Sequence, residues 1–176
     1  MLQNPQRMAT QRFEFRIIRR NHYHPAVAAD SPLPRLRTDG KFFRADGERV
    51  WLRAVTYGPF PGGWPENFDP DFRRIAEAGF NAIRLFEMPG RELLDAAQNH
   101  GLRVFGGLMW SQNMDFLNHS WPLTDAKLAL ASALRETAAH PALAGVYVGN
   151  EIPADLVRWM GPLRVRRAIE ELIDEG

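Results

Sequence analysis

The sequence predicts an α/β fold in which a parallel sheet is assembled from about four β-α units, preceded by a β-hairpin and a disordered leader. Three observations carry that prediction. Short apolar, β-prone runs alternate with helical stretches four times between Arg49 and Gly176. Glycine or proline punctuates the changes from one pattern to the other. An Asp-Gly pair between two β-prone runs marks a hairpin ahead of the first unit.

Composition is compatible with one ordinary domain. The 176 residues are 45% apolar, 24% charged and 11% aromatic, which argues against disorder throughout and against a fibrous repeat. Cysteine is absent, so disulfides, thiolate catalysis and thiolate metal sites are excluded. No run reaches the roughly 18 uninterrupted apolar residues of a spanning helix. The opening MLQNPQRMATQRFEFRIIRR has charges where a secretory signal has its apolar core, and the expectation is a soluble, cytoplasmic chain without membrane insertion. Net charge is +1, but residues 1–40 hold seven Arg against Glu14, Asp30 and Asp39, a balance of +4 that leaves −3 on the remainder. The basic leader reads as a solvated tail. With no basic helix or aromatic-basic module following it, no nucleic-acid partner is expected.

Taken in order, residues 1–36 carry weak periodicity and end in a segment punctuated by Pro25, Pro32 and Pro34, which favours an extended linker. The folded domain is expected over 37–176. Asp46-Gly47 supplies the positive φ angles of a tight hairpin between Phe42–Ala45 and the run from Glu48, whose arm is expected to continue through Arg53 to Tyr57. Asp69 and Pro70 open a helix with Phe72, Ile75 and Ala76 at helical spacing, closed by Gly79. Ala82–Phe86 is a buried strand, Arg91–Asn99 a helix, and Leu102–Leu108 the next strand. A third helix is expected from about Asp125 to Ala139, stopping before His140-Pro141 because the residue preceding proline avoids the helical region. Ala144–Val148 is the fourth strand. The last helix runs through Arg164–Asp174, with Ile169, Leu172 and Ile173 on its apolar face.

Consecutive β-α units with right-handed crossovers leave an open doubly wound sheet or part of an eight-stranded barrel. In a nucleotide-binding doubly wound sheet the first turn is glycine-rich. Here it is Tyr57-Gly58-Pro59-Phe60-Pro61-Gly62-Gly63-Trp64-Pro65, whose prolines remove amide donors needed to cradle phosphate. The expectation is therefore a (β/α)8 TIM-barrel type fold with only about half the barrel present.

In such a barrel the carboxyl ends of the strands share one mouth, so the residues after each apolar run are the informative ones. They are Tyr57 and Phe60 after the first strand, Arg84 and Glu87 with the second, Trp110 with Ser111, Gln112 and Asn113 after the third, and Asn150-Glu151 after the fourth. A carboxyl group at this mouth can protonate a glycosidic oxygen while a second carboxylate attacks the anomeric carbon or activates water. Trp110, Trp64 and Tyr57 offer aromatic faces for the apolar side of a pyranose. Glu87 is read as a sugar-contacting residue, or as one that neutralises Arg84 or caps the next helix. Trp51, Trp159, Met109 and Met114 are read as packing. The histidines have no metal-ligand spacing, with His100 and His140 suited to helix-end carbonyls, and neither a metal nor a cofactor is expected.

The segments FFRADGERVWLRAVTYGPF, FRRIAEAGFNAIRLFEMP and AGVYVGNEIP together resemble the amino-terminal half of a clan A glycoside hydrolase, the (β/α)8 superfamily of retaining β-glycosidases. The match covers roughly residues 40–176 and is most similar to the hydrolase-like domains found upstream of family 2 glycosyltransferases. The resemblance implies that Glu151 is the general acid/base, that Asn150 contacts the sugar 2-hydroxyl, and that Arg84 supports the nucleophile's carboxylate. It also implies a nucleophilic Glu after a seventh strand, whereas these residues reach only the fourth helix.

The chain is thus expected to be a hydrolase-like domain acting on β-linked oligo- or polysaccharide, incomplete and inactive alone, as a truncated or split product. It could instead pair with a second half barrel or with itself, in which case Glu87 or Glu151 of the partner subunit would serve as second carboxylate. A non-catalytic carbohydrate-binding or assembly module is the alternative of a different class.

Overall fold

A computed structural model describes residues 33–176, so most of the expected leader lies outside the described residues. The hairpin forms as its turn chemistry dictates. Asp46 and Gly47 both have positive φ, 51° and 80°, matching the twist between β2 (Phe42–Ala45) and β3 (Glu48–Val50). A further strand, β1 (Arg37–Asp39), pairs with β2 on its other side to complete a three-stranded antiparallel sheet.

The arm expected to run on to Tyr57 is interrupted. Trp51–Arg53 leave the first sheet, and β4 (Ala54–Thr56) belongs to a second. The Asn81 side chain bridges this break, accepting from the Arg53 amide at 2.8 Å and donating to the Trp51 carbonyl at 2.8 Å. Backbone groups that a continuous hairpin would have paired thus find a side-chain partner.

The second sheet holds β4, β5 (Ala82–Arg84), β6 (Arg103–Gly107) and β7 (Leu143–Tyr147), all parallel and adjacent in chain order. Helices α1 (Asp69–Glu77), α2 (Arg91–Asn99) and α3 (Trp121–Thr137) alternate with them. Two helices, α4 (Ala154–Met160) and α5 (Pro162–Glu175), follow β7. Among the described residues the sheet does not close, and the architecture is a partial TIM-barrel-like fold.

Register decides which side chains face which layer. Val55, Ile83, Val104 and Leu143 form one row across the four strands, packing with Phe72 of α1 and Leu94 and Ala97 of α2. Ile83, Val104, Phe72 and Leu94 are fully buried, each contributing on the order of 2 kcal/mol through apolar burial. The neighbouring row, Thr56, Arg84, Phe105 and Gly145, points to the opposite face because alternate strand residues do. A register shift lets Gly145 rather than Ala144 pair with Phe105. The first sheet meets this face through the Phe43 ring, edge-on to Phe105 with 6.4 Å between centroids.

Several expectations change in detail. Leu33, assigned to the leader, is buried in the main core. Helix α3 begins at Trp121, four residues before the expected start, with Pro122 pre-set for its first turn. Helix α4 was not expected; Gly161 at φ 92° followed by Pro162 separates it from α5. Trp159 and Met109 are each about two-thirds exposed rather than packed inside, and Trp51, exposed to the same extent, packs only edge-on against the Phe42 ring, 6.2 Å between centroids. Ile173 is also mostly exposed, because the buried face of α5 is made by Val165, Ala168 and Leu172. His100 and His140 contact carboxylates instead of helix-end carbonyls, Asp69 at 3.0 Å and Asp95 at 2.9 Å.

Gly107, the last residue of β6, has no space for a side chain: a Cβ there would fall on the Phe86 carbonyl, 2.6 Å from its carbon. Gly107→Ala should therefore lower stability by about 1–3 kcal/mol in urea denaturation. Gly62→Ala, where a Cβ meets nothing within 4 Å, should change it by less than about 0.5 kcal/mol.

Candidate active site

Parallel pairing brings the carboxyl ends of β4–β7 to one rim, and the polar residues gathered there fall into two groups. The first spans β5 to β7. Arg84, the last residue of β5, is half-buried and donates from Nη2 to Oδ1 of Asn150 at 2.5 Å. Its guanidinium also lies 4.7 Å from the Phe86 ring centre and 5.2 Å from that of Tyr147, so two aromatic faces attract its charge. Among the described residues no carboxylate is ion-paired with Arg84. A guanidinium has five N–H donors, and Asn150 takes one.

Asn150 is held from two directions. Its side chain accepts from Arg84, and its backbone amide donates to Oε1 of Gln112 at 2.8 Å. Gln112 sits in the loop after β6, a run that the sequence marks as polar without revealing its partner. Trp110, in the same loop, donates from its indole to the Val148 carbonyl at 2.9 Å and sets its ring against buried Phe116. Trp110 is thus half-buried between two apolar clusters that also include Leu123 and Ile169.

Glu151 follows Asn150 at the mouth of β7 with its side chain exposed. Its φ is +51°, in the left-handed region that disfavours residues with a Cβ. Such conformations cost on the order of 1 kcal/mol or more and persist where surrounding contacts impose them.

The second group lies over β4 and β5. Tyr57 is buried in an aromatic cluster with Phe60, Trp64, Phe68 and Phe72, and its hydroxyl donates to Asp71 at 3.0 Å. Burial first, and then the hydrogen bond and charge of Asp71, push the phenol pKa well above the ordinary tyrosine range. Trp64 covers Gly58, where a Cβ would lie 2.5 Å from the indole ring, and donates from its indole to Glu87 at 2.5 Å. Glu87 therefore neither pairs with Arg84 nor caps α2, whose N-terminus at Gly90 has no side-chain cap.

Trp64 and Glu87 line a cavity of about 550 Å³ together with Glu66, Phe68, Met88 and Glu92. Arg84, Asn150 and Glu151 are not among its lining residues. The rim therefore carries a hydrogen-bonded Arg84–Asn150–Gln112 group beside Glu151, and a separate aromatic-carboxylate cavity at β4 and β5. Among the described residues, no group of three or more His, Asp and Glu is arranged to hold a metal ion, and no helix is long and apolar enough to cross a membrane.

The four parallel strands and the rim they create belong to a partial TIM-barrel-like fold. The solved structures similar to this chain include ScGas2 in complex with compound 7, at TM-score 0.59 and 19% identity over 80% of this chain and 35% of that one. ScGas2 with compound 8 gives 0.57, 19%, 81% and 35%, and Gas2 with compound 10 gives 0.56, 20%, 80% and 36%. The chain thus spans about a third of the length of these structures. No family profile and no curated protein matches the sequence.

Two outcomes follow from the geometry. Glu151→Gly should be more stable than Glu151→Ala by about 1 kcal/mol, since only glycine is free of the positive-φ cost; paired urea melts measure the difference. Tyr57 binds its proton more tightly folded than unfolded, so its contribution is complete below pH about 10, the unfolded tyrosine value, and is lost as pH rises above it. Stability should fall there by about 1 kcal/mol per pH unit, and Tyr57→Phe should remove that slope while lowering neutral-pH stability by about 1 kcal/mol.

Proposed function

We propose that this chain is the acid/base-bearing part of a retaining glycoside hydrolase acting on a β-linked glycan. The single observation that carries the reading is the Arg84–Asn150 hydrogen bond beside Glu151, which joins the ends of β5 and β7 at one rim. It supports the roles implied by the sequence resemblance. The likeness to Gas2 structures adds support at the level of fold.

In this reading Glu151 gives its proton to the glycosidic oxygen as the bond to the anomeric carbon breaks. A second carboxylate attacks that carbon from the other face and forms a glycosyl ester. Glu151, now a carboxylate, takes a proton from water as the water displaces the ester, and both carboxyl groups return to their starting states. Asn150, its Oδ1 engaged by Arg84, presents its amide N–H donors to the sugar 2-hydroxyl. Arg84 has donors left for the second carboxylate, which the reading assigns to β/α units completing the barrel, on a continuous chain or on another one. Trp64 and Glu87, around their separate cavity, would bind glycan farther from the bond being cut.

The test uses β-linked oligosaccharides of different linkage, with binding by calorimetry and cleavage by release of reducing ends, for this chain alone and within a completed barrel. Glu151→Gln should leave binding within about twofold and lower cleavage by the completed barrel by 10²-fold or more, the order of a lost general acid. Cleavage unaltered by that substitution, or no affinity for any β-linked glycan, overturns the proposal.

A further inference from the structure

The chain segment Val148-Gly149-Asn150 is gripped on both sides by one loop. Trp110 donates its indole N–H to the Val148 carbonyl at 2.9 Å, and Gln112, two residues on, accepts the Asn150 amide at 2.8 Å. Between them Gly149 lies 3.7 Å from Gln112 Oε1, measured from where its Cβ would be, so the amide oxygen rests against the turn. The loop is itself anchored. The Gln112 amide donates to the Trp110 carbonyl at 2.8 Å, and the Trp110 ring lies edge-on to fully buried Phe116, with centroids 5.0 Å apart. Immediately beyond the gripped segment, Glu151 adopts φ +51°.

A glutamate relaxes out of that region unless neighbouring contacts fix the chain on at least one side of it. On the amino-terminal side, those contacts are the two hydrogen bonds from the β6 loop, together with the Arg84 bond to the Asn150 side chain. We infer that Trp110 and Gln112 form a clamp that sets the direction of Glu151, with Gln112 as the positioning residue and Trp110 as its packed anchor. The clamp reads backbone, not glycan: Trp110 spends its indole N–H on Val148 and its ring edge on Phe116. The inference rests on the acid/base reading of Glu151 for its functional meaning, but its physical content is a coupling between the β6 loop and one dihedral.

That coupling can be measured without substrate. Gln112→Met removes the acceptor at nearly constant length, Gln112→Glu retains it, and Trp110→Phe retains the ring but not the donor. Native-state hydrogen exchange at the Asn150 amide should quicken by about tenfold in Gln112→Met, the order of one lost hydrogen bond, and return to within about twofold of the parent in Gln112→Glu. The advantage of glycine over alanine at position 151, about fivefold in the folding equilibrium constant of the parent, should shrink toward unity in Gln112→Met and in Trp110→Phe, because the released turn no longer forces the left-handed conformation. A merely structural role would lower stability without altering that ratio. In the completed barrel, Gln112→Met should lower kcat and leave KM within about twofold. Unchanged Asn150 exchange, or a position-151 ratio that persists in both clamp variants, overturns the inference whatever the glycan experiments give. A vanished ratio with no glycan cleavage leaves the clamp intact and sinks the glycosidase reading alone.

Discussion

The in-register parallel pairing of β4 through β7 is the constraint on which the rest of the molecule depends. Thr56, Arg84, Phe105 and Gly145 lie in one row across four strands, and the row Val55, Ile83, Val104 and Leu143 takes the opposite face. A slip of one residue in β5 would exchange Ile83 for Arg84, burying a guanidinium among the helices and exposing the core side chain. The same register brings Arg84 to Asn150 although 66 positions separate them in the chain. Core and rim are therefore specified by one set of backbone hydrogen bonds.

Two kinds of polar arrangement grow from that frame. At β5–β7 a guanidinium, an amide side chain and a loop glutamine are linked in series, and the exposed carboxylate of Glu151 stands at the end of the series in an unfavourable backbone conformation. At β4–β5 aromatic rings close around Tyr57, and the outward members of the cluster, Trp64 and Phe68, border a cavity with three glutamates. The first arrangement is a chain of directional hydrogen bonds. The second is a cavity lined by aromatic and apolar side chains together with carboxylates.

Exposed apolar groups mark where the partial barrel is open. Tyr147 and Phe86 flank Arg84 on the face that a closed barrel would cover, and Ile173 borders an apolar groove lined by Leu130, Leu134, Val146 and Leu172 beside β7. Sequence periodicity assigned Ile173 to the apolar side of its helix because spacing reports angle around an axis. Whether anything occupies that angle depends on neighbouring elements, and the groove leaves it mostly exposed.

Local chemistry written in the sequence determined the elements: Asp46-Gly47 made the hairpin turn, Gly79 terminated the first helix, and four apolar runs became four parallel strands in order. The placement of Arg84, Asn150 and Glu151 at the carboxyl ends of β5 and β7 was legible too, since polar residues at or just beyond the end of a parallel strand have one rim to occupy. Partnership was not legible. Asn81 spanning the break after Trp51, Trp64 binding Glu87, and Gln112 holding the Asn150 amide are all contacts between segments far apart in the chain. Hydrogen bonds are short and directional, so a side chain's partner is chosen by how loops fall after the sheet has assembled. Periodicity and turn chemistry act over a few residues and are complete before that choice is made.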